Sequence, residues 1–278
     1  MFADHIRTHA SRAVAFLDNK QIVFSATDSL LKVCDDTNCG TISVPVVTFV
    51  DMVVCNFHHC IYMVDAGHST ASPQSSPFVI RFELGSQFKK SIDEDIDSST
   101  VISVTHSHDL LVMCPSANAL KIFNTDLIPL KCVLLQSDIV SLTCAVELTP
   151  GRYVLTHGKG RDALHRVCVV NSEGKLLHTY GCLKGSYPGL LDSPGDVFVD
   201  KNGFVYVDDV SRNCVIVLSP TLVFIHRISP TPPFEKFLNK IRRQMRMDKE
   251  SGHLYVKCAV ERDSYARSYT GSYKYELV

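Results

Sequence analysis

The chain has 278 residues, with 28 Lys or Arg against 29 Asp or Glu, a net charge of −1, and 45% hydrophobic and 21% charged side chains. This composition suffices to bury a core and excludes a disordered chain. The near-zero charge excludes a uniformly basic protein that coats nucleic acid through bulk electrostatics, but it leaves local patches open.

Helical periodicity is nearly absent. What recurs is a short β-rich run, a tight polar turn and a second β-rich run. In chain order the turns fall at Leu17–Lys20, Asn56–His59, His106–Asp109, Thr149–Arg152, Asp200–Gly203 and Asp248–Gly252. Their mean spacing is about 46 residues, within the range of roughly 40–50 that marks a four-stranded propeller blade. Six such units account for residues 1–278 as one domain, so the expected fold is all-β, a six-bladed β-propeller. Blade five is the clearest, with strands at 196–200, 204–207, 214–218 and 222–225. Blade six supplies 245–247, 253–256 and 273–277 and is short of its outer strand. The N-terminal His5–His9 is the expected donor, a closing strand that would complete the last blade and leave no open edge.

The absence of tryptophan argues against a WD40 ring, and the absence of a Gly-Gly doublet against kelch. Residues 191–218 instead carry Leu191-x-x-Pro194-Gly195-x-Val197-x-Val199-Asp200, then Val205-Tyr206-Val207-x-Asp209, then Val215-x-Val217. Blade four keeps Arg166-Val167-x-Val169 ahead of a polar Gly174 turn. These runs resemble the NHL repeat over roughly 165–218. Cys214 stands where that family usually has Arg, and blades one to three are only faintly similar. The resemblance implies a propeller like the C-terminal domain of tripartite-motif ubiquitin ligases, which recruits protein substrates or RNA through its top face. Ligase domains would then lie outside this chain.

Charge along the chain is uneven. Residues 226–278 hold eleven basic and six acidic side chains, +5, which leaves −6 for residues 1–225. In a propeller the b–c and d–a loops share one face. The connection into blade six reads as a short helix opened by Thr231 and Pro232, with Phe234, Phe237, Leu238 and Ile241 on one side. Lys236, Lys240, Arg242 and Arg243 belong to this segment. Lys159 and Arg161 in a b–c loop, Lys184 and Tyr187 in a d–a loop, and Arg212 belong to the same face. Cations with a tyrosine among them suit phosphates and a stacked base, so this set is the candidate RNA- or partner-binding surface. The acidic d–a loop holding Asp93, Glu94, Asp95 and Asp97 is a candidate patch for a protein partner. It lacks calcium-loop spacing and reads as a solvated loop.

Eleven cysteines without a Cys-x-x-Cys pair exclude a zinc finger or RING in this chain, and most sit in apolar runs, where they read as small buried hydrophobes. The paired histidines His58/His59 and His106/His108 occupy equivalent a–b turns without a third ligand. The initial segment lacks a signal-peptide core and no apolar stretch reaches the roughly 18–20 residues of a membrane span, which implies a cytoplasmic protein. No nucleophile elbow, phosphate loop or dinucleotide fingerprint occurs. The expectation is a monomeric, cofactor-free interaction module that recruits protein substrate or RNA and contacts neither DNA nor membrane. The alternatives are a pure protein scaffold and a metal-dependent propeller hydrolase or lyase.

Overall fold

A computed structural model describes residues 14–16, 22–27, 30–34, 39–44, 49–67, 76–83, 89–92, 95–162, 164–183, 189–229, 241–247, 253–260 and 269–276. The chain divides into two compact units, Met1–Cys132 and Val133–Val278. The first carries three antiparallel sheets: β1 (Val14–Phe16), β2 (Ile22–Thr27), β3 (Leu30–Cys34) and β4 (Cys39–Ser43); β5 (Phe49–Cys55), β6 (Cys60–Asp65), β7 (Phe78–Glu83) and β8 (Lys89–Ile92); β9 (Val101–Val104), β10 (Leu110–Cys114), β11 (Ala119–Phe123) and β12 (Pro129–Leu134), whose last residues pass into the second unit. The second unit continues with β13 (Leu142–Thr149), β14 (Arg152–His157), β15 (Leu164–Asn171) and β16 (Leu176–Leu183); β17 (Pro194–Val199), β18 (Val205–Asp209), β19 (Cys214–Leu218) and β20 (Phe224–Ile228); and a three-stranded sheet of β21 (Ile241–Met247), β22 (His253–Val260) and β23 (Tyr269–Glu276). In every sheet, strands adjacent in sequence are adjacent in space.

The central strands explain the pattern. All six residues of β6 are buried, and alternate ones enter different cores. Cys60, Tyr62 and Val64 join Ile102, Leu110, Val112 and Cys114. Ile61 and Met63 join Leu31, Met52 and Ile80. A strand covered on both faces needs apolar side chains in succession, whereas an outer strand does not. Outer β12 and β20 are accordingly exposed almost throughout.

Several hairpin turns share one device. Asn124 Oδ1 accepts from the N–H of Asp126 and Ile128 at 3.0 and 2.9 Å, and Asn171 Oδ1 from Glu173 and Lys175 at 3.1 and 2.9 Å. Asp200 Oδ1 accepts from Asn202 and Phe204 at 2.9 and 2.8 Å. The short side chain replaces a backbone acceptor two and four residues on, which is why Asn, Asp and Ser mark these turns. Ser219 does the same through Oγ, accepting from Thr221 and Val223 at 3.3 and 3.0 Å. That turn consumes Leu222 in a left-handed conformation, so β20 begins at Phe224 and not at the expected Leu222.

The short helix expected in the connection into blade six is corrected at its end, and the strand expected at 245–247 starts earlier. Ile241–Met247 is a strand that pairs in register with β22 from Ile241↔Val260 to Met247↔Leu254. Arg242, Gln244 and Arg246 alternate with Ile241, Arg243, Met245 and Met247, a period of two that outweighs the helical spacing of Phe234, Phe237, Leu238 and Ile241. Residues 230–240, with Lys236 and Lys240, and the closing strand at His5–His9 lie outside the described residues. Among the described residues no helix is long and apolar enough to cross a membrane.

Candidate functional site

The second unit brings three of the expected site residues to one seam, where the loop after β14 and the 3-10 turn Val210–Arg212 meet the connection into β17. Gly158 turns the chain out of β14 with φ +89, and a Cβ there would run into the carbonyl of Leu164, so only glycine fits. Its N–H donates to Val140 O and Ser141 O at 3.2 Å each. Lys159 N–H donates to Asp162 Oδ2 at 2.8 Å, and Asp162 N–H returns to Lys159 O at 3.1 Å. The first of these bonds, with one from Ser141, holds the Asp162 carboxyl below its ordinary range. Lys159 and Arg161 point outward from this braced loop and are exposed. Neither has an ion-pair partner among the described residues.

Residues 190–193 are clamped from several sides. Arg212 Nη1 donates to Leu190 O at 2.6 Å. Asp192 N–H donates to Asp209 Oδ1 at 3.0 Å, while Ser211 N–H and Val210 N–H return to Asp192 O and Ser193 O at 3.1 and 3.3 Å. Ser193 N–H donates to His165 Nδ1 at 2.8 Å. That nitrogen therefore carries no proton, and the Asp192 carboxylate 3.8 Å away is a neighbour and not an ion-pair partner. Gly160 N–H reaches Ser193 Oγ at 3.4 Å and ties the cationic loop to the clamp.

Arg212 is not a surface cation. Its side chain is only 16% exposed and its Nη1 lies 3.3 Å from Asp209 Oδ2, which is fully buried. Burial pushes the Asp209 carboxyl up to about 6 against the lowering effect of the Asp192 N–H and of Arg212. A second polar group in this unit centres on the buried His157 and ends on the half-exposed Asp138. Arg166 Nε donates to His157 Nε2 at 3.0 Å, and its Nη2 binds Asp138 Oδ2 at 2.6 Å. Burial first, and the charge of Arg166 second, push His157 down to about 4. Arg166 holds the Asp138 carboxyl below its usual range.

Lys184 and Tyr187 lie outside the described residues, as do Asp93 and Glu94 and the side chains of Arg242 and Arg243. The remaining acidic candidates, in the first unit, are engaged internally. Asp95 binds Lys121 Nζ at 2.7 Å, and Asp97 Oδ1 accepts from Ser99 N–H at 2.7 Å. The histidine turns of that unit meet through aromatic contact: Phe57 stacks on His108 at 4.2 Å, and His58 lies 6.1 Å from His108, ring to ring. Among the described residues no three His, Cys, Asp or Glu side chains are grouped to hold a metal ion.

The buried acids and histidines of the seam are absent from the candidates that the sequence suggests. A signal for them exists all the same: Asp209 ends the Val-Tyr-Val-x-Asp strand, and Arg166 opens the Arg-Val-x-Val strand. Both are polar residues at the ends of buried strands, where a partner is obligatory.

Comparison with protein-family models finds no match, and neither does comparison with the sequences of curated proteins. Solved structures do match. The selenomethionine-substituted virginiamycin B lyase from Staphylococcus aureus is 8% identical with a TM-score of 0.62, covering 96% of this chain and 84% of its own. The PQQ-bound aldose sugar dehydrogenase from Streptomyces coelicolor is 10% identical with a TM-score of 0.64, covering 95% and 93%. The putative glucose dehydrogenase from Thermus thermophilus is 12% identical with a TM-score of 0.60, covering 95% and 96%. Likeness at this identity concerns the fold alone, and the fold is an all-β propeller.

Proposed function

We propose that the chain is a six-bladed, non-catalytic recruitment propeller that holds RNA on the face carrying the loop of Lys159 and Arg161. The observation that supports this reading is an imbalance of free charge. Lys159 and Arg161 are exposed on a braced loop, while the carboxylates beside them, Asp138, Asp162 and Asp209, are bonded internally. A surface with spare cations on a rigid loop attracts a polyanion without the cost of ordering that loop first. Lys184, Tyr187, Lys236, Lys240, Arg242 and Arg243 extend the same reading to segments of the same polarity. A role in substrate or RNA recruitment for a tripartite-motif ubiquitin ligase rests on the NHL-like strands of 165–218.

The test is fluorescence anisotropy with single-stranded RNA as salt is raised from about 50 to 200 mM. Binding should weaken steeply with salt. K159E/R161E should weaken it at every salt and reduce the salt slope by about two, one for each phosphate that the variant no longer neutralises. No binding at low salt, or a folded K159E/R161E that binds as wild type, overturns the reading. A protein partner is the second reading, favoured by Leu183, 60% exposed at the end of β16. A partner whose capture depends on Leu183 and not on Lys159 or Arg161 would select it.

A further inference from the structure

The β5–β6 hairpin of the first unit sets two thiols against each other. Cys55 and Cys60 are register partners at the last pair before the turn Asn56–His59. Directly opposed residues in an antiparallel pair have Cα atoms about 4.5–5.5 Å apart, inside the roughly 4.4–6.8 Å that a disulfide requires. Both residues are buried, beneath a four-residue turn whose Phe57 is 66% exposed. Hairpin ends open locally at far less than the cost of global unfolding.

The surroundings favour a thiolate on Cys60. The neighbouring Cys55 first, and then the charge of Arg81, lower the Cys60 thiol to about 6 against the opposing effect of burial. Cys55 Sγ donates to His108 O at 3.9 Å, and its thiol is raised by Cys60 and by burial, while the N–H groups of His58 and Phe57 pull the other way. Arg81 is itself held by Glu83 at 2.7 Å. Three other buried thiols differ: burial pushes Cys114 up to about 12 and Cys168 and Cys214 up to about 11. Exposed Cys182 faces His165 across its strand pair.

We propose that Cys55 and Cys60 are a reversible redox site that closes to a cross-strand disulfide on reaction with hydrogen peroxide. The Cys60 thiolate attacks one peroxide oxygen, the O–O bond breaks, and Cys60 becomes a sulfenic acid as hydroxide leaves. The Cys55 sulfur then attacks the Cys60 sulfur, its proton leaves with the sulfenic oxygen as water, and the hydroxide takes up the proton that Cys60 had lost. Two thiols are oxidised by two electrons and one peroxide is reduced to two waters. Arg81 is the positioning residue that keeps the attacking sulfur ionised.

The experiment treats the full chain carrying C132S and C182S, which removes the thiols exposed among the described residues, with hydrogen peroxide, and maps linkages by mass spectrometry without reduction. A Cys55–Cys60 linkage, lighter by two hydrogen atoms and reopened by dithiothreitol, is the expected result. Cys60→Ser should abolish it. Arg81→Met should keep the linkage but slow its formation several-fold at neutral pH and move the pH profile of the rate upward. Retention of both thiols in a folded, peroxide-treated protein overturns the proposal. So does a linkage at Cys34–Cys39, the register partners that close β3–β4, with Cys55 and Cys60 still free. An Arg81→Met pH profile identical to the parent's removes the role given to Arg81.

Discussion

Two seams between neighbouring sheets meet the same requirement with opposite chemistry. Where β5 faces β9, the packing is largely apolar, with a carboxylate set into it: Asp51 is 3% exposed and its Oδ2 accepts the Ile102 N–H at 3.0 Å. Where β13 faces β17, hydroxyls donate to carbonyls. Thr156 Oγ1 donates to Gly195 O at 2.6 Å, and Thr143 Oγ1 lies 2.9 Å from Pro194 O and 2.8 Å from Thr156 Oγ1. Each innermost strand has a free backbone edge, and a buried edge must find partners. One seam supplies an acceptor for an N–H and the other supplies donors for C=O groups. The second seam adds the clamp on residues 190–193, and with it the exposed cationic loop. The polar seam thus carries the candidate binding surface, and the apolar seam shelters the thiol pair.

The largest effect should come from Arg212→Met in the polar seam. It leaves the buried Asp209 carboxylate without its counter-charge and Leu190 O without its donor. Breaking a buried pair in this way costs about 3–5 kcal/mol, measured by urea unfolding. A loss below about 1 kcal/mol, the range of exposed pairs, would place Arg212 among the surface cations after all.

The same contrast decides what the sequence can disclose. Turns are legible because they rest on local groups. Asn171 and Asp200 bond N–H groups two and four residues on, so a stretch of five residues suffices to mark them. Ser219 uses the same device, yet its turn absorbs the β-prone Leu222 and Val223, and residue preference alone starts the strand two residues early. The strand expected at 245–247 begins four residues earlier, and this start is hidden because Phe234, Phe237, Leu238 and Ile241 fit a helix equally well, so that only the register with β22 decides the matter. At the site, Lys159 and Arg161 are recognisable as loop cations. The roles of Asp209, His165 and His157 depend on partners 17, 28 and 9 residues away, and spacing does not encode such pairs.

The second prediction concerns pH, and two buried groups of the polar seam oppose each other. Asp209 is raised from 3.8 to about 6, so its contribution is fully present below about pH 4 and is lost as pH rises to about 6. His157 is lowered from 6.5 to about 4, so its contribution is present above pH 6.5 and is lost as pH falls to about 4. In wild type the slopes partly cancel between pH 4 and 6. Asp209→Asn should uncover stability that rises with pH, and His157→Asn stability that falls, each by at most about 3 kcal/mol across the window. Unfolding curves at several pH values measure both slopes. Parallel pH profiles for wild type and both variants would mean that neither group titrates away from its ordinary value.

The smallest effects separate the acceptor from the donors directly. Asp51→Ala strands the Ile102 N–H inside an apolar cluster and should cost about 2 kcal/mol. Thr156→Val keeps the shape of the side chain and removes only the hydroxyl, which leaves Gly195 O one donor short. Thr143 Oγ1 lies 3.4 Å from Gly195 O and stands ready to replace it, so the loss should be about 1 kcal/mol or less. Thr143→Val in the Thr156→Val background removes that substitute, and the double variant should lose more than the sum of the two single losses. Simple additivity in this cycle would mean that the two hydroxyls act separately. The polar seam would then owe nothing to the second hydroxyl.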